Sequence, residues 1–310
     1  MGILDKMFKW FTAKDKDGNE MNLSYVLDGE PKTIQDIEKL FKAFQLDNYL
    51  DTIKSLVRPK IDLILTPTDE SKFVKATSKI GGQPYLPDNF EWPKNETGKS
   101  LSFIGQLNFE ELSKFDQSGW LLKQGLVSFF YCADQEAWGF DPKHRQRFKV
   151  IYTDSVSSSV KRDFPTDLEE HSIFKPNSLT FNSSLSIPTW QEDSIDGLIE
   201  DEDSDNYIEV SSGSDNQILG YANCVQGTME LECQLVTNGL YCGDETGYND
   251  PRRKELETRK DDWILLLQID SEEDKTGMMW GDSGRIYFWI KKQDLLNKDF
   301  NNTWCILQCY

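Results

Sequence analysis

Histidine is nearly absent from this 310-residue chain. The two copies, His144 in "DPKHRQRF" and His171 in "LEEHSIF", lie in no recognisable catalytic context. A serine nucleophile needs a histidine base held by a carboxylate. The stretch "GDSG" at 281–284, which looks like the nucleophile loop of trypsin-like proteases, is therefore not read as one, and Arg285 also replaces the second glycine of a G-x-S-x-G elbow. Cysteine pairs at C-x2-C spacing are missing as well. Cys224, Cys233 and Cys242 recur every nine residues, which does not build a tetrahedral zinc site locally. Cys305 and Cys309 sit in a strand-like run, where a buried free thiol is the ordinary state. No metal ligand and no cofactor is expected.

No run is long and apolar enough to cross a membrane. The N-terminus carries no apolar run followed by a small-residue cleavage site, so the six cysteines read as reduced thiols of a cytoplasmic protein. Positive charge is also short. Lys and Arg total 34 against 53 Asp and Glu, a net charge of -19, which repels a phosphate backbone and excludes a direct nucleic-acid binder. The same field draws in a basic protein or peptide.

What is present is a core. The chain is 38% hydrophobic and 12% aromatic, with 9 tryptophans and 18 phenylalanines, and at this length it can bury a large share of its surface. Ile3, Leu4, Met7, Phe8 and Phe11 share one side of a short N-terminal helix that would dock or fray. Spacings of three and four from Ile34 to Val57 predict amphipathic helix, ended by Pro59. Beyond it come short apolar or alternating runs cut by Gly, Pro, Asn and Asp, such as "KIDLILTP", "LSFIGQLNF", "GLVSFFYCAD" and "RFKVIYTD", which predict strands. An acidic stretch at 191–205, "QEDSIDGLIEDEDSD", reads as a linker or exposed loop with nothing to bury. "DEDSDNYIEVSS" begins like a calcium loop with Asp201, Asp203 and Asp205, but Asn206 and Ser212 stand where glycine and glutamate are needed. Strands are expected to resume with "MELECQLVTNGLYCGD", "DDWILLLQID", "GRIYFWIKKQDL" and "TWCILQCY".

The two sides of the acidic stretch echo each other. Gln106 in "LSFIGQLNF" aligns with Gln268 in "WILLLQIDS", Gly125 aligns with Gly284, and "KIGGQP" has a looser echo in "ILGYAN". A repeat of this size suggests duplication of one β module about a pseudo-twofold axis. The expected class is mainly β, α+β overall. Its divisions are an N-terminal segment at 1–20, a helical region at 21–68, a first β repeat at 69–190, the acidic linker at 191–215 and a second β repeat at 216–310.

In "SKIGGQPYLP" the double glycine is followed by Pro84 and Pro87, which prevent the helix that a phosphate cradle needs. A turn of positive φ or close backbone approach fits better. Gln106 and Gln268 are mid-strand amides that must find partners for both ends. They either bond backbone or line a groove. In "GMMWGDSGRIYFW" an exposed Trp280 beside Asp282 and Arg285 would form a binding anchor, or Asp282 and Arg285 would bridge each other. The candidate binding residues are Gly81, Gly82, Gln106, Gly220, Gln268, Trp280, Asp282 and Arg285, and no catalytic or metal-binding residue is assigned.

Together "SKIGGQPYLPDNFEWP", "LSFIGQLNF", "WILLLQID", "MMWGDSGRIYFWI" and the ending "TWCILQCY" resemble the YwqG-like family over residues 33 to 310. The resemblance implies a duplicated, strand-exchanged all-β unit, distantly similar to the programmed cell death protein 2 group, whose members are implicated in escorting a basic ribosomal protein. It brings no agreed catalytic residues, and the zinc-binding insert of some eukaryotic relatives has no counterpart here. Three functions stay open. The first is a cytosolic protein-binding module for a basic partner, chaperone-like or immunity-type. The second is an enzyme built on paired carboxylates, which a deep cleft with converging, perturbed carboxylates would favour. The third is a sensor with a small-molecule ligand between the two repeats.

Overall fold

The apolar runs become strands and pair into one sheet. The computed structural model describes Asn22, Ser24 and residues 26–310; the N-terminal amphipathic segment lies outside the described residues. The strands are β1 (Arg58–Pro67), β2 (Lys79–Ile80), β3 (Tyr85–Pro87), β4 (Ser102–Asn108), β5 (Leu126–Tyr131), β6 (Phe148–Thr153), β7 (Ser159–Lys161), β8 (Asn177–Ser186), β9 (Gln217–Leu219), β10 (Trp263–Asp270), β11 (Arg285–Lys291) and β12 (Trp304–Gln308). Ten of them form an antiparallel sheet in the order β12-β11-β10-β9-β1-β8-β2-β4-β5-β6, and β3 pairs with β7 apart from it. β4 and β5 are buried along their whole lengths, which is why they read as continuous apolar runs rather than alternating ones.

This order explains the sequence echo. β1 precedes β2 in the chain yet pairs with β9, while β8 precedes β9 yet pairs with β2. Each half gives its first strand to the other, and the two long strands pair with each other from Arg58↔Ser186 to Pro67↔Asn177. A pseudo-twofold axis passes between them. The halves match in detail: a bulge falls at Ile104 in β4 and at Leu266 in β10, the same place in each. Phe129 and Phe288, equivalent residues of β5 and β11, meet with ring centroids 5.0 Å apart. The sheet curls into a near-barrel whose edges approach, with Phe148 of β6 edge-on to Trp304 of β12 at 5.3 Å.

Helix α1 (Ile34–Ala43) starts at a capping box in which Thr33 and Asp36 satisfy each other's backbone N–H groups. Gln45, at φ 60, then breaks the helical pattern, and α2 (Leu50–Lys54) follows. Pro59 does not end the helix. The chain has already left it at Ser55, and Pro59 sits inside β1 opposite Leu185, so the central strand of the sheet starts within the region expected to be helical.

Two expectations are overturned. The acidic stretch is not a bare exposed loop: its single-turn helices Asp193–Ile195 and Asp201–Asp203 lead into the helix Ser204–Ser211. Ile195, Ile199, Tyr207 and Val210 are buried in a second core with Ile37, Leu40 and Phe41 of α1. The acids between these apolar residues concealed them, and Tyr49 fastens the stretch by donating to Asp203 at 2.5 Å. "MELECQLV", expected as a strand, is the helix Glu230–Val236. Met229, Cys233 and Val236 are buried at helical spacing along it.

Candidate functional site

The glycines and the two amides are parts of one device built twice. Gly81 and Gly82 have φ 67 and 70, and Leu219 and Gly220 have φ 62 and 68. Pairing of Lys79 with Gln106 and of Gln217 with Gln268 makes Gly82, not Gly81, the counterpart of Gly220. Behind each turn an amide closes a latch. Gln106 accepts from Tyr85 N at 2.9 Å and donates to Thr77 O at 2.8 Å. Gln268 accepts from Asn223 N at 2.9 Å and donates to Ser214 O and Asp215 O. Both amides are fully buried. The double-glycine turn does hold an anion, the chain's own Glu70, whose carboxylate accepts from Gln83 N at 3.2 Å and from Lys79 Nζ at 2.8 Å.

Trp280 is not an exposed anchor. It is 1% exposed, lies edge-on to Tyr131 and Phe174, and donates from Nε1 to Asp270 O. Arg285 is also buried and bridges Asp270 at 3.3 Å and Asp215 at 3.1 Å rather than the exposed Asp282. Burial pushes Asp270 up to about 6 against the pull of Arg285. Gln268 and Arg285 are thus brought together around Asp215 and Asn223, to which Arg285 donates at 3.3 Å. Gly81, Gly82 and Gln106 belong to the other half.

The feature that sequence reasoning missed is a cavity of about 350 Å³ on the second half. Glu230 and Glu232, from the first turn of the helix Glu230–Val236, line it with Glu192 from the acidic stretch. Its walls include Trp263 of β10, Trp289 of β11 and Trp120 from the first half, and Gly220 lies at its edge. The three carboxylates are half-buried, because the cavity reaches them, but protein encloses them on most sides. Glu230 turns back to accept from Met229 N at 3.1 Å, and Glu232 accepts from Tyr248 Oη at 3.2 Å. Burial raises the proton affinity of all three: Glu232 is pushed up to about 7, and Glu192, with the charge of Glu230 as the second cause, to about 8. Arg58, stacked over Tyr221 at 4.0 Å, partly offsets this at Glu192 and Glu230.

Two buried donors of the lining, Trp289 Nε1 and Arg253 Nε, have no hydrogen-bond partner among the described residues. No local pattern joins Glu192 to Glu230. The one sequence signal was the pair Glu230 and Glu232 beside the helical spacing of Met229, Cys233 and Val236.

Fold and site together define a strand-exchanged, duplicated β protein with one carboxylate- and indole-lined cavity to which both halves contribute. Residues 78–309 match the family described as a domain of unknown function (DUF1963), and the chain belongs to that family. No curated protein matches it. β1 and the helical region precede the matched residues, although β1 lies at the centre of the sheet. Among the described residues no helix is long and apolar enough to cross a membrane.

Proposed function

We propose that the protein is a cytosolic, non-enzymatic binding module for a basic protein or peptide, an escort in the manner of a chaperone or an immunity protein. A lysine or arginine of the partner enters the cavity. The observation that carries this reading is that Glu192, Glu230 and Glu232 line one cavity together with Trp120, Trp263 and Trp289. A desolvated cation over an indole gains about 2 kcal/mol. Carboxylates that burial keeps partly protonated ionise when that cation arrives, so binding releases protons near neutrality and tightens as pH rises toward about 8. The net charge of -19 steers the encounter.

Titration with a lysine-rich peptide at low and high salt, by calorimetry, tests the reading. A double variant, Glu192→Gln with Glu230→Gln, is expected to lose at least about tenfold in affinity, which corresponds to about 1.4 kcal/mol. Equal binding by the variant, or capture insensitive to salt, would overturn it. Affinity capture from source-cell lysate then names the partner.

A carboxylate-based enzyme is the second reading, favoured by Glu232 at about 7, close to the value at which a general acid or base works best. It requires turnover of some substrate that Glu232→Gln abolishes while peptide binding persists.

A further inference from the structure

A second cavity, of about 500 Å³, also has Trp263 in its lining, and there Arg145 of the first half reaches the start of β12. We propose that it binds a small molecule through a phosphate or carboxylate group, gripped by Arg145 and Lys291. This goes beyond the partner reading and uses none of its carboxylates.

Acids outnumber cations 53 to 34 in this chain, yet Arg145 and Lys291 line this cavity and Lys149 bonds Asn301 of its lining, all with neutral partners. Arg145 Nη1 donates to Thr303 O at 2.7 Å, Lys149 Nζ donates to Asn301 Oδ1 at 2.8 Å, and Lys291 Nζ lies 5.2 Å from the centre of the Trp263 ring. None of the three makes an ion pair among the described residues. Burial lowers the proton affinity of each. Asp294 is the acid of the lining, and Asp299 and Asp262 act on Arg145 and Lys291 from beyond ion-pair distance.

Arg145 and Lys291 line the same cavity, so an oxyanion bound there supplies the missing charge and takes up the free part of the guanidinium fork. Trp263 and Trp304 wall the cavity and suit an apolar or ring-bearing body behind the anionic group. The volume falls in the range of small-molecule sites.

The test is calorimetry and thermal shift on the full chain with inorganic phosphate and with citrate, at matched ionic strength against sodium chloride. The expected result is saturable binding of at least one probe, and the probe that binds tells phosphate from carboxylate recognition. Lys291→Gln should weaken it at least about tenfold. Arg145→Lys, which keeps the charge but removes the fork, should weaken it while leaving the circular dichroism unchanged. Glu192→Gln with Glu230→Gln should leave it intact, so this site and the basic-partner site fail independently. No saturable binding of either probe, or binding unchanged in both cation variants, overturns the proposal.

Discussion

Replacing Glu232 by glutamine should make the protein more stable, and only at neutral to alkaline pH. In the folded state burial pushes this carboxyl from the ordinary 4.5 up to about 7. Below 4.5 it is protonated whether the chain is folded or not, and it costs nothing. As pH rises from 4.5 to about 7, the unfolded chain ionises while the folded one cannot, so stability falls by about 1.4 kcal/mol per pH unit. Above about 7 both states are ionised and the loss levels off near about 3 kcal/mol. Glutamine keeps the size and can still accept from Tyr248, 3.2 Å away in the wild type, but it has no charge to desolvate. For a chain of this length about 3 kcal/mol corresponds to a Tm difference of about 5 °C. Scanning calorimetry at pH 8 should show the variant melting higher by that amount, and at pH 5 the two should differ by under about 1 kcal/mol. A gap that does not change with pH, or a variant less stable at pH 8, would refute the placement of Glu232 in a desolvating cavity.

The latches and turns give sharper mechanical tests. A Cβ on Gly81 would meet Lys175 O at 2.2 Å at φ +67, so Gly81→Ala should cost about 3 kcal/mol in urea unfolding. Gly98, at φ +82 with nothing within 4 Å, should lose only about 1 kcal/mol on the same substitution, and equal losses would remove the clash argument. Gln268→Leu strands Asn223 N, Ser214 O and Asp215 O and should cost about 3 kcal/mol. A loss below about 1 kcal/mol would show the latch to be incidental. Trp280→Ala should lose about 3 to 5 kcal/mol rather than act on binding alone; a midpoint in urea like that of the wild type would sink the core assignment.

By itself the sequence determined the mainly β class and the duplication, because strand burial and repeated spacing are local patterns. Gln106 with Gln268 and Gly125 with Gly284 are enough to superpose the halves, down to the matched bulges at Ile104 and Leu266. It did not determine which half receives β1. A long apolar strand carries the same pattern whether it joins β2 or β9, and only the pairing across the pseudo-twofold axis makes the exchange visible. Composition misled where acids flank buried apolar residues, as at Ile195 and Ile199, and where an aromatic among glycines turned inward, as at Trp280. The two cavities were beyond any local reading. Glu192 meets Glu230, and Arg145 and Lys291 come to line one cavity, only after elements far apart in the chain have packed. Desolvation and uncompensated charge, on which the functional readings stand, are properties of that enclosure and not of the residues alone.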